Sequence, residues 1–276
     1  MDTLHPASPA LDRTTDPATP TIAVTRVAEH QWHAHEDDEV VGRGHAAHRP
    51  DGRLFISIDA WHEAVFHRLA SAMLADLPRP LFTVVDEADT ELTAAWLLAD
   101  FSISRRERGY LLPTDPAVTG LGAVQPPAGV TIVPAGSADE HRLIALDRTI
   151  RAQVEATVGW QTMPAEVLRR PAGVTVLDPA AYTVAAQGSE YVGLLRLATV
   201  TRQPRIGLLA VRAEHQRRGI GRALLAHVLT QLHDQGTSRA SGTAWAEVNE
   251  ANAAATALFE GAGARHAATN LELVRR

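Results

Sequence analysis

A short stretch between residues 216 and 222 has the composition of a turn that could hold a phosphate group. It reads Gln216, Arg217, Arg218, Gly219, Ile220, Gly221 and Arg222. The two glycines lack the Cβ atoms that would keep a ligand away from the backbone. A helix that begins here points its unpaired N–H groups and its positive dipole end at the ligand. The stretch therefore favours phosphate or pyrophosphate binding, although an ordinary surface turn has the same composition.

The sequence on either side supplies the elements that would position this turn. The apolar run from Ile206 to Val211 predicts a strand, and apolar residues at helical spacing follow the glycines. They are Leu224, Leu225, Val228, Leu229 and Leu232. A P-loop is excluded because the chain contains no Lys, and a dinucleotide motif lacks its third glycine.

A second strand–helix pair follows after Gly236. The run Ala244–Val248 predicts a strand, Asn249–Asn252 a turn, and the next residues a helix that ends at Gly261–Gly263. The ordered set V-x-x-x-x-Q-x-x-G-x-G-x-A-L-L, a strand, and N-x-x-A-x-x-L-F-x-x-x-G closely resembles the GNAT N-acetyltransferase superfamily. The resemblance covers about residues 128 to 276. It implies an α/β (α+β) GNAT fold, with a mixed central sheet flanked by helices.

The resemblance also implies a coenzyme, acetyl-CoA, and residues that bind it. In GNAT enzymes the strand before the turn splays from its neighbour and pairs with the pantetheine arm, which corresponds here to Leu209, Ala210 and Val211. The turn from Gln216 to Arg222 would hold the pyrophosphate. Asn252 matches an asparagine at a helix start that often contacts the coenzyme, and it is equally suited to capping that helix.

Two further positions bear on the chemistry. Glu247 matches a position that serves as general base in some family members, and the alternative is a carboxylate without a role. Phe259 stands within the expected coenzyme site, where many relatives carry a Tyr that protonates the leaving sulfur. Activity is still possible because a thiol with a pKa of about 8.5 is a tolerable leaving group. A water, Tyr191 or Tyr182 could replace the missing acid.

Composition narrows the class of protein. At 276 residues the chain suits two domains, and its net charge of −6 predicts no nucleic-acid partner. It has no Cys, which excludes disulfides and thiolate metal sites, and no apolar stretch of 18 residues, so we expect a cytoplasmic protein without a membrane partner. Residues 1–20 are polar and rich in Pro and Thr, which predicts a disordered tail.

Residues 21–115 repeat the element order of the C-terminal part, at an offset that drifts from about 150 to about 160 residues. We interpret them as a degenerate GNAT-like domain, joined by a linker at 116–127 to the acetyltransferase domain at 128–276, in a tandem arrangement that resembles the mycothiol synthases. The segment Asp59–Glu63 stands where a phosphate turn would be and has no glycine, which predicts a copy without coenzyme. The chain ends about thirteen residues after Gly263 with one clear strand at 270–274. A second closing strand is therefore either absent or borrowed from the other unit.

Two polar groups have less specific interpretations. Histidines are crowded near the N-terminus, and His33 and His35 share a strand face, but no metal motif accompanies them, so we predict no metal site. The run Arg105–Arg108 is interpreted as a solvated sheet edge that discourages strand pairing.

Three function classes remain open on the sequence. The first is an acetyl-CoA-dependent N-acetyltransferase that acts on a primary amine of a small molecule or peptide by direct attack, as a monomer or homodimer. The second is a non-catalytic acyl-CoA-binding sensor, which Phe259 favours. The third is an interaction protein in which both copies serve as scaffold.

Overall fold

The computed structural model of the chain describes residues 21–49, 52–157, 177–198, 203–236 and 242–276. The sequence pattern also predicts a helix over 164–170 and a strand over 191–200. That helix, the end of that strand and the predicted tail at 1–20 lie outside the described residues. The described chain forms two compact units. One comprises the residues up to His45 together with Ile58–Asp76, and the other comprises Ala46–Ser57 and Leu77–Arg276.

The first unit is an antiparallel meander against a helix. Strands β1 (Ala23–Ala28), β2 (Gln31–Glu36) and most of β3 (Glu39–His48) pair in sequence, and helix α1 spans Glu63–Asp76. Glycine at position 42 allows close packing, since a Cβ there would lie 2.5 Å from Val65 Cγ1. The buried Trp32 indole donates to Asp76 Oδ2 at the end of the helix.

The second unit contains the remaining strands and helices. Its strands are β4 (Leu54–Ala60, which crosses the unit boundary), β5 (Leu81–Asp86), β6 (Ser102–Pro113), β7 (Val130–Val133), β8 (Tyr182–Gln187), β9 (Glu190–Ala198), β10 (Arg205–Val211), β11 (Thr243–Asn249) and β12 (Arg265–Arg275). Its helices are α2 (Thr90–Leu98), α3 (Pro116–Thr119), α4 (Glu140–Thr157), α5 (Ile220–Asp234) and α6 (Ala253–Glu260). Most of these bounds agree with the hydrophobic periodicity, but β12 begins at Arg265 rather than near residue 270, and α3 lies in the segment predicted as a linker.

The sheet of this unit is mixed, as predicted. Its strand order is β4-β5-β12-β6-β11-β10-β9-β8-β7. The pairs β4–β5 and β10–β11 are parallel, and the others are antiparallel. β6 comes from before the predicted linker and lies between β11 and β12, which confirms that the C-terminal segment borrows a strand. The expectation of a sheet edge at Arg105–Arg108 was wrong, because β6 is paired on both sides.

Apolar side chains cover both faces of the C-terminal part of this sheet. On β8 the side chains of Tyr182, Val184 and Ala186 belong to a cluster with α4, and Ala185 belongs to a larger cluster with α5. Alternate strand residues point to opposite faces, so the helices flank the sheet on two sides. Glycine at position 193 lets α5 approach β9, since a Cβ there would lie 3.3 Å from Ile220 Cγ2.

Candidate active site

Strands β10 and β11 separate after two parallel residue pairs. Arg205 pairs with Trp245 and Ile206 with Ala246. β10 continues along β9 as far as the pair Val211–Gly193, and β11 follows β6 along its whole length. The predicted coenzyme residues Leu209, Ala210 and Val211 therefore lie beyond the last β10–β11 pair, on a strand edge whose backbone groups can pair with an extended ligand.

The glycine turn lies at the open end of this gap. Gly219 has φ of 87° and precedes the first residue of α5, and no side chain caps the helix N-terminus. Arg217 is also left-handed, with φ of 62°, and Gln216 Nε2 donates to the Val211 carbonyl oxygen. A Cβ at Gly221 would make ordinary contacts of 3.7 and 3.8 Å with two apolar side chains. The first-turn N–H groups are thus available to an anion.

The other residues of the turn differ in exposure. The side chains of Arg217, Arg218 and Arg222 are exposed, whereas Ile220 is buried in the core under α5. Ile220 can therefore contribute to ligand binding through its backbone N–H, and the three arginines can contribute charge. This separation follows from the helical periodicity that begins at Ile220.

Asn252 and Phe259 both have structural partners. Asn252 Oδ1 accepts from the Ala255 N–H and caps α6. Phe259 is 4% exposed and packs against Tyr110, with 6.2 Å between ring centroids. The Tyr110 hydroxyl donates to Glu260 Oε1. A phenylalanine at position 259 thus belongs to the core between α6 and β6.

The two tyrosines that could replace a general acid lie in the core cluster next to α4. The Tyr191 hydroxyl accepts from the Asp139 N–H at 2.9 Å, and the Arg142 guanidinium lies 3.9 Å from the Tyr191 ring centroid. Tyr182 is 2% exposed in the same cluster. Both rings therefore have packing roles.

Glu247 is the first residue of β11 after its last pair with β10, and its carboxylate makes three contacts. Oε2 lies 2.6 Å from Arg205 Nη2. Oε1 accepts from Trp245 Nε1 and from Asn270 Nδ2, each at 3.3 Å. The side chain is 14% exposed, so the carboxylate is oriented and still reaches the surface of the gap.

The strand β6 adds a second carboxylate that the sequence interpretation missed. The Arg105 and Glu107 side chains are buried, and Glu107 Oε1 lies 3.2 Å from Arg105 Nη2. Burial raises the pKa of the Glu107 carboxyl from 4.5 to about 7. Arg105 opposes this rise, and the neighbouring carboxylates of Glu247 and Glu272 add to it. The sequence does contain a signal for this pair. In a strand, Arg105 and Glu107 lie on one face and Arg106 and Arg108 on the other, so opposite charges share the first face.

Among the described residues, no group of three or more His, Asp or Glu side chains could hold a metal ion. No helix within those ranges is long and apolar enough to cross a membrane. His33 and His35 do share a face of β2, with ring centroids 6.1 Å apart.

Residues 149–264 match the model of the acetyltransferase (GNAT) family. A stretch of 55 residues is 46% identical to the [ribosomal protein bS18]-alanine N-acetyltransferase of Escherichia coli strain K12, and it covers 20% of this chain and 34% of that protein. This chain therefore spans about a third of the length of that relative. The family match contains the glycine turn, Glu247, Asn252 and Phe259.

Solved structures with the same fold extend over nearly the whole chain. A GCN5-related N-acetyltransferase from Sphaerobacter thermophilus has a TM-score of 0.63 at 14% identity, covering 91% of this chain and 81% of its own. A tandem GNAT protein from the clavulanic acid biosynthesis pathway has a TM-score of 0.59 at 16% identity. The match covers 93% of this chain and 84% of that protein. At these identities the likeness concerns the fold. Together with the family match at residues 149–264, it makes the chain similar to GNAT acetyltransferases in fold.

Proposed function

We propose that this protein is an acetyl-CoA-dependent N-acetyltransferase that acetylates a primary amine of a small molecule or peptide by direct attack. The observation that carries the proposal is the separation of β10 from β11 beside the uncapped, glycine-rich start of α5. Glu247 stands at the point of separation. A strand edge, an anion site and a carboxylate are thus available along one gap.

The residues along the gap fit the parts of acetyl-CoA. The β10 backbone from Leu209 to Val211 would pair with the amides of the pantetheine arm. The first-turn N–H groups of α5 and the side chains of Arg217, Arg218 and Arg222 would hold the pyrophosphate. Asn252, Gln216 and Phe259 complete the proposed coenzyme site. When bound, the coenzyme supplies the acetyl thioester.

Glu247 would receive a proton from the acceptor. A primary ammonium group, with a pKa near 10, must lose a proton before its nitrogen can attack a carbonyl carbon. Arg205 and Trp245 hold the Glu247 carboxylate beside the gap, where a cationic amine is attracted to it. Phe259 has no proton to give, so the departing sulfur would take one from the attacking nitrogen or from solvent.

The acceptor class rests on the chemistry of the site and on the relative with the 55-residue match. That relative acetylates an alanine of a ribosomal protein according to its name. An N-terminal peptide amine is therefore one candidate acceptor, and a small-molecule amine is the other.

Acetyl-CoA titration followed by an assay of thiol release across a panel of amines and peptide N-termini tests the proposal. Acetyl-CoA binding in the micromolar range, about −8 kcal/mol, together with amine-dependent thiol release is the expected result. Thiol release that no amine accelerates would contradict it.

A non-catalytic acyl-CoA sensor is the second candidate, and Phe259 is the observation that favours it. Such a protein would bind acetyl-CoA with similar affinity and would release no thiol with any amine. A scaffold protein without coenzyme would show no acetyl-CoA binding in the titration. Acetylation of a thiol-related small amine would instead favour an activity like that of the mycothiol synthases.

We further propose that residues 21–115 are a degenerate GNAT-like copy without coenzyme, joined to the domain at 128–276 by a linker at 116–127. The parallel pair β4–β5 comprises two residue pairs, as β10–β11 does. The segment between β4 and α1 contains Trp61, which is 72% exposed, in place of a glycine turn. One acetyl-CoA per chain is the stoichiometry that this predicts.

A further inference from the structure

Charged side chains line one face of the sheet in the second unit, from β10 to the start of β4. Arg53 Nη1 lies 3.0 Å from Glu272 Oε1, and Arg105 Nη2 lies 3.1 Å from Glu272 Oε2. The same Arg105 nitrogen lies 3.2 Å from Glu107 Oε1. The Glu272 and Glu107 side chains are 3% and 9% exposed. Keeping a carboxylate ionised at this depth costs free energy unless it is paired and hydrogen-bonded.

The strand pairing places Glu107 next to the proposed active site. Its partners in the ladder are Asn249 on β11 and Asn270 on β12. The partner of Glu247 is Gly109, two residues along β6, so the two glutamates are diagonal neighbours on the same face, at about 7–8 Å between Cα atoms. Asn270 Nδ2 also donates to Glu247 Oε1, which connects the position beside Glu107 to Glu247.

The two carboxylates differ in what already surrounds them. Both oxygens of Glu247 have donors, from Arg205 on one side and from Trp245 and Asn270 on the other. Glu107 Oε1 is buried and receives no hydrogen bond from the described residues, although Arg105 is close to it. Glu107 therefore holds a proton more readily than Glu247, whose carboxylate already accepts from three donors.

The charges that face Glu107 come from every strand around it. Arg105 lies on β6 itself, Glu247 on β11, Glu272 on β12 and Arg205 on β10. Burial and the two negative neighbours outweigh the two arginines, and the pKa of Glu107 rises to about 7. A group with such a pKa can take up a proton and release it again near neutral pH.

A route to solvent lies beside this group. Arg105, Asn249 and Glu272, each a neighbour of Glu107, line an open cavity of about 980 Å³. Glu107 itself does not line the cavity, so a proton on it would reach solvent through these neighbours.

We propose that Glu107 is the proton-storing partner of Glu247 in acetyl transfer, supplied to the acetyltransferase site by a strand from outside the family-matched segment. This inference rests on the proposed function. The acceptor ammonium nitrogen carries three protons, and one passes through Glu247 to Glu107. The nitrogen then forms a bond with the thioester carbonyl carbon, and the carbon–sulfur bond breaks. Of the two remaining protons, one ends on the released thiol and one stays on the amide.

The pH dependence of kcat/KM for wild type and Glu107→Gln tests the inference. In wild type, kcat/KM should rise through a step near pH 7 as Glu107 ionises. Glu107→Gln should lose that step and lower kcat at pH 8 by about tenfold or more, while the Kd for acetyl-CoA stays within about twofold. Glu107→Asp, which keeps the carboxylate, should recover part of the rate and a displaced step.

Glu272→Gln is the matched control, since it removes a buried carboxylate that contacts the same arginine. This substitution removes a negative charge near Glu107, while Arg105 stays in contact with Glu107. The step in kcat/KM should therefore remain and move to lower pH. Titration of ¹³C-labelled glutamate carboxyls should give a resonance with a midpoint near 7 that is missing in Glu107→Gln.

The outcomes separate the two proposals. If Glu107→Gln binds acetyl-CoA and keeps both the pH step and the wild-type kcat, the proposed role of Glu107 is wrong and the proposed function stands. A wild-type protein that binds acetyl-CoA and acetylates no amine overturns the proposed function, and the role of Glu107 with it. If Glu107→Gln does not fold, the Asp variant and the carboxyl titration decide, and a Glu107 midpoint near 4.5 would contradict the inference.

Discussion

Arg205 Nη2 lies 2.6 Å from Glu247 Oε2 at the point where β11 separates from β10. Arg205 and Trp245 form the first of the two pairs in the parallel ladder, and the side chains of both contact the Glu247 carboxylate and orient it. One residue earlier, at Ala246, the β11 backbone is still paired with β10.

Replacing Glu247 by Gln should lower kcat by about 10²-fold, because an amide cannot receive the ammonium proton. The Kd for acetyl-CoA should change little, since the proposed coenzyme contacts lie on β10 and α5. Steady-state kinetics and calorimetric titration measure the two quantities. Glu250→Gln is the control, because this half-exposed carboxylate pairs with Arg108 outside the gap and should leave turnover unchanged. Normal turnover in Glu247→Gln would exclude Glu247 from proton transfer.

Replacing Gly221 by Val should abolish acetyl-CoA binding while the protein stays folded. A Cβ at this position meets its neighbours only at ordinary contact distance, so the fold can accept it, but the added methyl groups would crowd the first turn of α5 where the pyrophosphate is proposed to sit. Thermal unfolding and acetyl-CoA titration separate the two effects. Gly221→Ala should give an intermediate Kd, and equal affinity in wild type and Gly221→Val would refute the site.

Replacing Gly109 by Ala should destabilise the protein by about 1–3 kcal/mol and reduce turnover. The Trp245 indole lies across this glycine, and a Cβ would come within 2.3 Å of Trp245 Cζ2. The displaced indole could no longer donate to Glu247 Oε1. Denaturant unfolding and kcat report the two losses. Unchanged values for both would mean that the indole contributes nothing to the position of Glu247.

Expression of residues 120–276 alone should give an insoluble or strongly destabilised fragment. Removing β6 leaves β11 and β12 without the strand that pairs with both, and exposes two sheet edges to other chains. Solubility, thermal unfolding and acetyl transfer compare the fragment with the full chain. A stable and fully active fragment would contradict this prediction.

The free energy of unfolding should depend on pH through Glu107. Its pKa is about 7 in the folded protein and 4.5 as its ordinary value, so the folded state binds the proton more tightly. The stabilisation is complete below pH 4.5 and is lost as the pH rises through 7. Compared with Glu107→Gln, wild type should therefore lose about 3 kcal/mol between pH 4 and pH 8. Urea unfolding of both proteins at matched pH values measures the difference, and parallel profiles would disprove the raised pKa.

The sequence was informative wherever a signal is local. Apolar periodicity predicted α5 and its face, and the glycines at 219 and 221 indicated the helix start. The spacing from the turn to Asn252 indicated the family. Each of these features depends on residues close together in the chain, where propensity and patterning act directly.

The parts that could not be predicted depend on pairing between distant strands. The charges at Arg105 and Glu107 resemble a solvated edge until β11 and β12 are placed on either side of β6. Arg205, which forms an ion pair with Glu247, is 42 positions away in the chain. The borrowed strand was foreseen as one of two possibilities, and the shortage of strands after Gly263 was its only local sign.

The central position of β6 has a consequence for how the protein is made. β6 leaves the ribosome well before its two partners, and the contact between Arg108 and Glu250 joins residues 142 positions apart. Contacts of such long range form slowly because the loop between them must close first. The middle of this sheet can therefore form only after β11 and β12 have been synthesised, and the nascent chain must keep β6 from pairing elsewhere until then.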